Sequence, residues 1–207
     1  MKSLKTVLLT LILSIGFLLP SCDRDPDAFC NCPEVIPYFD IMDLKIHNTE
    51  KVEDFSRIID SNQDSISSDR FEGIFLEYLV DYHSDINFNF SVMNSAFGCS
   101  CVGSGYKGSA TEKIESFEII TLNDFDDDHP ANTSINDLFI VSIETTGQAP
   151  LSLNDFLLDT SSFIKYEYLP LRITKTPQNN PDFHIKVILK LSTGEEYEVE
   201  NSPIRMI

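Results

Sequence analysis

The densest group of metal-ligating side chains lies between Asn123 and His129, where four carboxylates occur within five residues. Asp124, Asp126 and Asp128 stand at alternate positions, and their oxygens are hard ligands of the kind that calcium prefers. The run lacks the glycine and the glutamate that complete an EF-hand loop. We therefore predict a solvated acidic turn, with a calcium site at these three aspartates as the alternative and no other cofactor.

The other chemically active residues do not form a known catalytic pattern. Four scattered histidines lie outside any H-E-x-x-H motif, and there is no G-x-S-x-G elbow. Residues 103–108 match G-x-G-x-x-G, but a nucleotide loop needs a helix after it, and a strand-like run follows here. We predict a turn at 103–108 and a protein that is not an enzyme. A secreted hydrolase with a carboxylate pair is the alternative.

Aromatic residues are numerous, with 15 Phe and 7 Tyr, but the sequence contains no Trp. The absence of Trp weakens a sugar-stacking platform, for which tyrosines would have to substitute. We predict that these tyrosines are core or sheet-edge residues rather than a sugar platform. They are Tyr38, Tyr82, Tyr106, Tyr166 and Tyr168.

Four cysteines form two Cys-x-Cys pairs, Cys30 with Cys32 and Cys99 with Cys101. In an oxidising compartment, which the N-terminal segment described below predicts, an even set of cysteines indicates disulfides, and a bridge within Cys-x-Cys would close a strained ring. We therefore predict that bonds join one pair to the other, with either cross-pairing open. A four-thiolate metal site is the alternative, although its usual ligand spacing is longer.

The elements that carry these residues have the period-two alternation of strands with one buried face. Ser152 begins the best helical segment, with Glu50 to Ile59 as a weaker one, and Thr193-Gly194 predicts a hairpin. The fold prediction is an all-β protein, an antiparallel β-sandwich with one or two short helices after an N-terminal signal segment. The predicted strands lie within Tyr38 to Ile46, Phe71 to Tyr82 (central and covered on both faces), Ile86 to Val92, Ile114 to Leu122, Leu138 to Ile143, Tyr166 to Ile173 and Phe183 to Leu191.

The first 22 residues have the order of a secretory signal: Lys2 and Lys5, a short apolar run, then Leu19-Pro20-Ser21-Cys22. The apolar run is too short to span a bilayer. Leu-x-Ser-Cys resembles the bacterial lipobox, whose cysteine receives lipid and becomes the new N-terminus. The acidic residues 23–27 resemble the tether of small envelope lipoproteins of unknown function in Bacteroidetes. This resemblance implies an outer-membrane location, at the cell surface or on the periplasmic face.

The predicted organisation is a signal peptide over 1–21, a lipidated tether over 22–29 and a β-sandwich domain over 30–207. Loss of Lys2 and Lys5 leaves 13 Lys and Arg against 33 Asp and Glu, a formal charge of −20. Such a charge excludes nucleic acid as a partner. We predict a membrane-anchored, non-enzymatic lipoprotein that binds an envelope protein or a glycan. A calcium-dependent adhesion module and a hydrolase are the alternatives.

Overall fold

The computed structural model describes residues 35–53, 55–60, 62–84, 103–141, 150–159 and 164–207. All of them belong to one compact unit, residues 35–88 and 103–207. The signal peptide, the tether, the predicted strand Ile86 to Val92 and all five cysteines lie outside the described residues. Predictions about those segments therefore stay predictions.

Strands dominate the described residues, so the all-β prediction is confirmed. The described helices are short: α1, Leu153–Asp159, and a 3-10 turn at Asn136–Leu138. None of the described helices is long and apolar enough to cross a membrane. The strands are β1 Tyr38–Val52, β2 Phe55–Ile58, β3 Ser65–Ile66, β4 Phe71–His83, β5 Ile114–Thr121, β6 Phe139–Val141, β7 Leu151–Ser152, β8 Tyr168–Ile173, β9 Asp182–Phe183, β10 Ile185–Leu191, β11 Glu196–Glu200 and β12 Ile204–Met206.

The strands form three sheets. The largest has the order β2-β1-β4-β8-β6-β7, and the two smaller ones have the orders β11-β10-β5 and β3-β12-β9. The described strand pairs are antiparallel except β3 with β12. β4 lies between β1 and β8, which confirms the predicted central position of the strand at Phe71 to Tyr82. The prediction that both of its faces are covered is wrong, because Phe75 and Leu79 are only half-buried and Tyr82 is exposed.

The core draws mainly on the six-stranded sheet and on the β11-β10-β5 sheet. Along β10, the alternate residues Ile185, Val187, Leu189 and Leu191 are fully buried, as the period-two pattern predicts. Burying one such side chain stabilises the fold by about 1.5–3 kcal/mol. The same core cluster includes Phe39, Ile74, Leu76, Tyr78, Phe117, Ile119, Phe139, Leu169 and Leu171 from other strands.

One glycine lets β8 lie close against β4. Gly73 has φ +151°, and a Cβ there would stand 2.1 Å from the carbonyl oxygen of Leu171. Only glycine tolerates this combination of dihedral angle and backbone approach. The central sheet therefore depends on a missing side chain at this position.

The hairpin prediction and the helix prediction at Ser152 are confirmed, and the weaker helix prediction is wrong. Gly194, at φ +105°, closes the β10–β11 hairpin, and the Ser152 hydroxyl accepts a hydrogen bond from Asp155 N (3.1 Å) at the start of α1. The helix option over residues 50–59 fails because that segment turns back on itself. Glu53 has φ +55°, and β2 pairs with the end of β1 from Val52↔Phe55 to Thr49↔Ile58.

Candidate functional site

The predicted acidic turn is folded around one buried carboxylate. Asp126 accepts hydrogen bonds at Oδ1 from the backbone amides of Asp128 (3.0 Å) and His129 (2.9 Å). Its Oδ2 lies 2.6 Å from Nζ of Lys175, which follows β8. The hydrogen bond from Lys175 is the main reason that the pKa of Asp126 falls far below its usual range, although burial opposes it. Asp126 is therefore an internal anchor of the turn.

His129 completes this cluster with both ring nitrogens. Nδ1 lies 2.7 Å from Asp126 Oδ1, and Nε2 lies 3.3 Å from Asp137 Oδ2. Burial lowers the pKa of His129, but the hydrogen bond to Asp126 and the charges of both aspartates outweigh it and raise that pKa. With each nitrogen facing a carboxylate, neither is placed to take a proton from a nucleophile. The His–Asp pair thus serves to hold the turn.

Each of the three predicted calcium ligands either has its own hydrogen-bonding partner or is exposed to solvent. Asp124 Oδ1 accepts the amide of Ala131 (2.9 Å), Asp126 pairs with Lys175, and Asp128 is exposed. Among the described residues, no three acidic, histidine or cysteine side chains are grouped so as to hold a metal ion. A calcium ion at Asp126 would have to displace the Lys175 ammonium.

A second buried carboxylate lies where β1 meets β2. The Glu50 side chain is 1% exposed and is held by two arginines. Arg57, opposite it on β2, donates from Nε to Oε1 (3.0 Å) and also from Nη2, while Arg70 donates to Oε2. The hydrogen bond from Arg57 is the first of several contacts that lower the pKa of Glu50. Glu50 is thus kept ionised beneath two guanidinium groups that reach solvent.

The β2 strand next to this pair is unusual because all four of its side chains are exposed. Phe55 is 54% exposed and Ile58 is 48% exposed, although both are large and apolar. β2 is also the end strand of its sheet, so one edge has no strand partner among the described residues. Beside it lies a cleft of about 690 Å³, whose lining includes His47, Glu50, Arg57, Ile58, Asp60 and Gln63. We call Phe55, Arg57, Ile58 and this cleft the β2 surface.

The G-x-G-x-x-G segment forms a turn packed against the beginning of β1. Gly105 N donates to Ile36 O (2.7 Å) and Lys107 N donates to Pro37 O (3.0 Å). Gly105 and Gly108 have φ +76° and +81°, and β5 begins at Ile114 with no described helix between. The prediction of a turn without a nucleotide loop agrees with this geometry.

The five tyrosines separate into two groups. Tyr166 and Tyr168 continue a row with Phe75 and His47 along the outer face of β8, β4 and β1. The ring centroids of Tyr166 and Tyr168 are 5.8 Å apart and those of Tyr168 and Phe75 are 5.3 Å apart, and both pairs are stacked. The rings of Phe75 and His47 are tilted, with centroids 6.4 Å apart. Because these rings stack on one another, each covers part of the face that its neighbour could offer to a sugar. Tyr106 lies within the 103–108 turn, and Tyr38 and Tyr82 lie beside that turn.

A third buried acid supports an irregularity in β1. The register with β4 shifts between Ile41 and Asp43, which leaves Met42 bulged and 62% exposed. Glu112 accepts the Ile41 amide with both carboxylate oxygens (3.1 and 3.0 Å). Burial raises the pKa of Glu112, although the hydrogen bonds from Ile41 and Ser109 oppose the shift. Glu112 therefore acts in place of a strand partner at the bulge.

Comparison with protein-family models, with curated proteins and with solved structures finds no match for this chain. Function must therefore be argued from the chain's own residues.

Sequence reasoning missed the β2 surface and the Glu50 cluster. Phe55 and Ile58 have the spacing of a helix face, and the pairing of β2 with β1 shows only in the folded chain. The sequence contained one signal for the cluster. The acidic Glu50 and the basic Arg57 and Arg70 lie near strand ends in a chain with only 15 Lys and Arg. Scarce cations that lie close to one acid are candidates for a specific pair.

Proposed function

We propose that the chain is an outer-membrane lipoprotein, anchored through lipid on Cys22, whose β-domain is a non-enzymatic module that binds another protein through the β2 surface. The signal order and the Leu-x-Ser-Cys sequence support the anchor. Residues 23–29 follow Cys22 and complete the predicted polar tether.

The observation that carries the binding proposal is the exposure of Phe55 and Ile58 on an end strand. Ile58 lines the cleft, while Phe55 lies with Arg57 on the other face of the strand, so both sides of this end strand carry an exposed large apolar residue that favours partner contact. Arg57 lies between them in sequence, and the edge of β2 that has no strand partner among the described residues offers backbone hydrogen bonds to an added strand. Arg57 and Arg70 share the single carboxylate of Glu50, so the cluster keeps one excess positive charge, which suits a partner with an acidic group at its centre.

A protein partner is favoured over a glycan by the arrangement of the aromatic rings. The rings of the Phe75–Tyr168–Tyr166 row stack on one another, so part of each ring face on which a sugar would lie is already covered. The β2 surface offers aliphatic and aromatic side chains with a strand edge instead. These are features of protein-to-protein recognition.

The anchor is tested by mass spectrometry of the native protein. The mature chain is expected to begin at Cys22 with acyl groups attached, and Cys22→Ala is expected to leave the protein unacylated. Protease treatment of intact cells then distinguishes the surface location from the periplasmic face. An intact Met1 start or an unmodified thiol at position 22 would refute the anchor.

The binding surface is tested by photo-crosslinking in living cells with benzoylphenylalanine at position 55 or, as a control, at position 158. Leu158 on α1 is 79% exposed, so it matches Phe55 as an exposed apolar residue away from β2. A discrete crosslinked protein is expected only from position 55. With that protein purified, Phe55→Ser with Ile58→Ser is expected to weaken binding at least about tenfold, and Leu158→Ser to leave it unchanged. Equal crosslinking from both positions, or unchanged affinity, would refute the assignment.

A further inference from the structure

The 103–108 turn forms a fixed platform at the beginning of β1. Besides its bonds to Ile36 and Pro37, Phe39 N donates to Gly108 O (3.3 Å), and Ile36 N donates to Ser104 Oγ (3.2 Å). A Cβ on Gly105 would stand 2.5 Å from Glu167 Oε1 and 3.0 Å from carbons of Phe39 and Tyr82. The turn is thus tightly seated, and the residues after Gly105 have a defined position.

The platform presents tyrosine, isoleucine and lysine to solvent. Tyr106 is 51% exposed, Tyr82 is 37% exposed and Ile36 is 36% exposed. The Lys107 ammonium lies over the rings of Tyr38 (5.1 Å) and Tyr106 (5.8 Å). Tyr82 donates its hydroxyl hydrogen to Glu167 (2.9 Å), so its ring is oriented. Tyrosines with an apolar body and a polar tip, together with a lysine, are the residues enriched where lipid headgroups meet water.

The position of the platform in the chain brings it near the bilayer. Residues 23–34 connect Cys22 to Val35 and can span at most about 45 Å when fully extended. The platform contacts Ile36 and Pro37, directly after that connection. β1 then runs 15 residues to Val52, which places its far end on the order of 45 Å away.

We propose that the Ile36–Tyr82–Tyr106–Lys107 platform rests in the headgroup region of the membrane that holds the acylated Cys22, and thereby orients the domain with the β2 surface outward. This inference rests on the proposed lipid anchor. The partner is a zwitterionic lipid surface, because a chain of formal charge −20 after signal removal is repelled by anionic headgroups. The anchor keeps the local lipid concentration high, so even a weak contact at the platform is populated.

The absence of Trp from the sequence makes a single-indole experiment available. The acylated variants Tyr106→Trp and Phe55→Trp are bound to phosphatidylcholine vesicles with a spin label on some headgroups. Both replaced residues are aromatic and about half exposed, but they lie at opposite ends of β1. The indole at position 106 is expected to be quenched at least about twofold more than that at position 55, and its emission to shift to shorter wavelength.

Two further measurements keep the outcome decisive. Ile36→Trp places a second reporter on the platform if Tyr106→Trp fails to fold, and it is expected to behave like Tyr106→Trp. Flotation with vesicles reports the anchor separately, because an unacylated chain is expected to stay in the dense fraction. Flotation with equal or weak quenching at positions 106, 36 and 55 overturns the platform alone. Failure to float overturns the anchor.

Discussion

The backbone amide of Ile36 donates a hydrogen bond to the hydroxyl oxygen of Ser104 across 3.2 Å. Ile36 is four residues after Cys32, and Ser104 is three residues after Cys101. The chain segments that follow the two Cys-x-Cys pairs are therefore neighbours. The cysteines themselves lie outside the described residues, so the disulfides that join one pair to the other stay a prediction.

We accordingly expect the non-reduced protein to yield a disulfide-linked peptide pair that contains residues 30–32 and 99–101. Closing loops of roughly 70 residues should stabilise the fold by about 4 kcal/mol, so reducing agent is expected to lower the melting temperature. Peptide mapping by mass spectrometry with and without reduction measures both the bond and its connectivity. Free thiols at all four positions, or bound zinc released by acid, would contradict the prediction and favour the thiolate metal site.

Gly73 provides the sharpest test of the central sheet. Gly73→Ala puts a methyl group against the Leu171 carbonyl in a backbone conformation that L-residues rarely adopt. We expect a loss of at least about 3 kcal/mol in the free energy of unfolding, measured with urea. Gly103→Ala is the matched control, since nothing lies within 4 Å of its added Cβ. A loss of similar size for both variants would show that the β4–β8 contact is not the cause.

Glu50 should make the free energy of unfolding decrease at acid pH. Because contacts from Arg57 and Arg70 lower its pKa in the folded chain, its stabilising contribution is complete above the unfolded value near 4.5. The contribution is lost as the pH falls through the lowered pKa of the folded state. Glu50→Gln is expected to reduce the free energy of unfolding by about 1–3 kcal/mol at pH 7 and by less on acidification.

Urea unfolding between pH 3 and pH 7 measures this difference, with Glu53→Gln as the control. Glu53 is an exposed carboxylate in the adjacent turn, so its replacement removes the same charge without emptying a buried site. If the two variants gave parallel pH profiles, the arginine pair would not be the source of the stability.

Local periodicity predicted most of the fold because alternate burial is visible within one strand. β10 and β4 show this directly, and the Thr193-Gly194 hairpin was predicted because its glycine requires a positive φ. The end of β1 and β2 escaped prediction because Glu50 interrupts the apolar alternation with a buried charge. This charge can be buried because Arg57 and Arg70 donate hydrogen bonds to its carboxylate.

The acidic turn shows that local sequence also limits the prediction of a candidate site. Spacing made Asp124, Asp126 and Asp128 resemble cation ligands, but Lys175, 49 residues beyond Asp126, supplies the positive charge in the folded chain. Likewise the two aromatic groups could not be separated in sequence, since Tyr168 meets Phe75 only through the pairing of β8 with β4. Local spacing identifies such residues, whereas long-range pairing decides what they do.

His129 should make the acidic turn less stable at alkaline pH. Its pKa is raised in the folded chain, so the protonated ring contributes fully below the unfolded value near 6.5 and this contribution is lost as the pH rises through the folded value. The effect is expected to be no more than about 1 kcal/mol, because the pairs with Asp137 and Lys175 are partly exposed. NMR titration of the ring proton should give a pKa for His129 above that of a histidine in the urea-unfolded chain. His129→Gln is expected to remove this alkaline loss of stability, whereas His184→Gln, the control on the β9–β10 connection, should retain it. A pKa for His129 at or below the unfolded value would show that burial outweighs the two carboxylates, and that the ring is held in the turn as a neutral group.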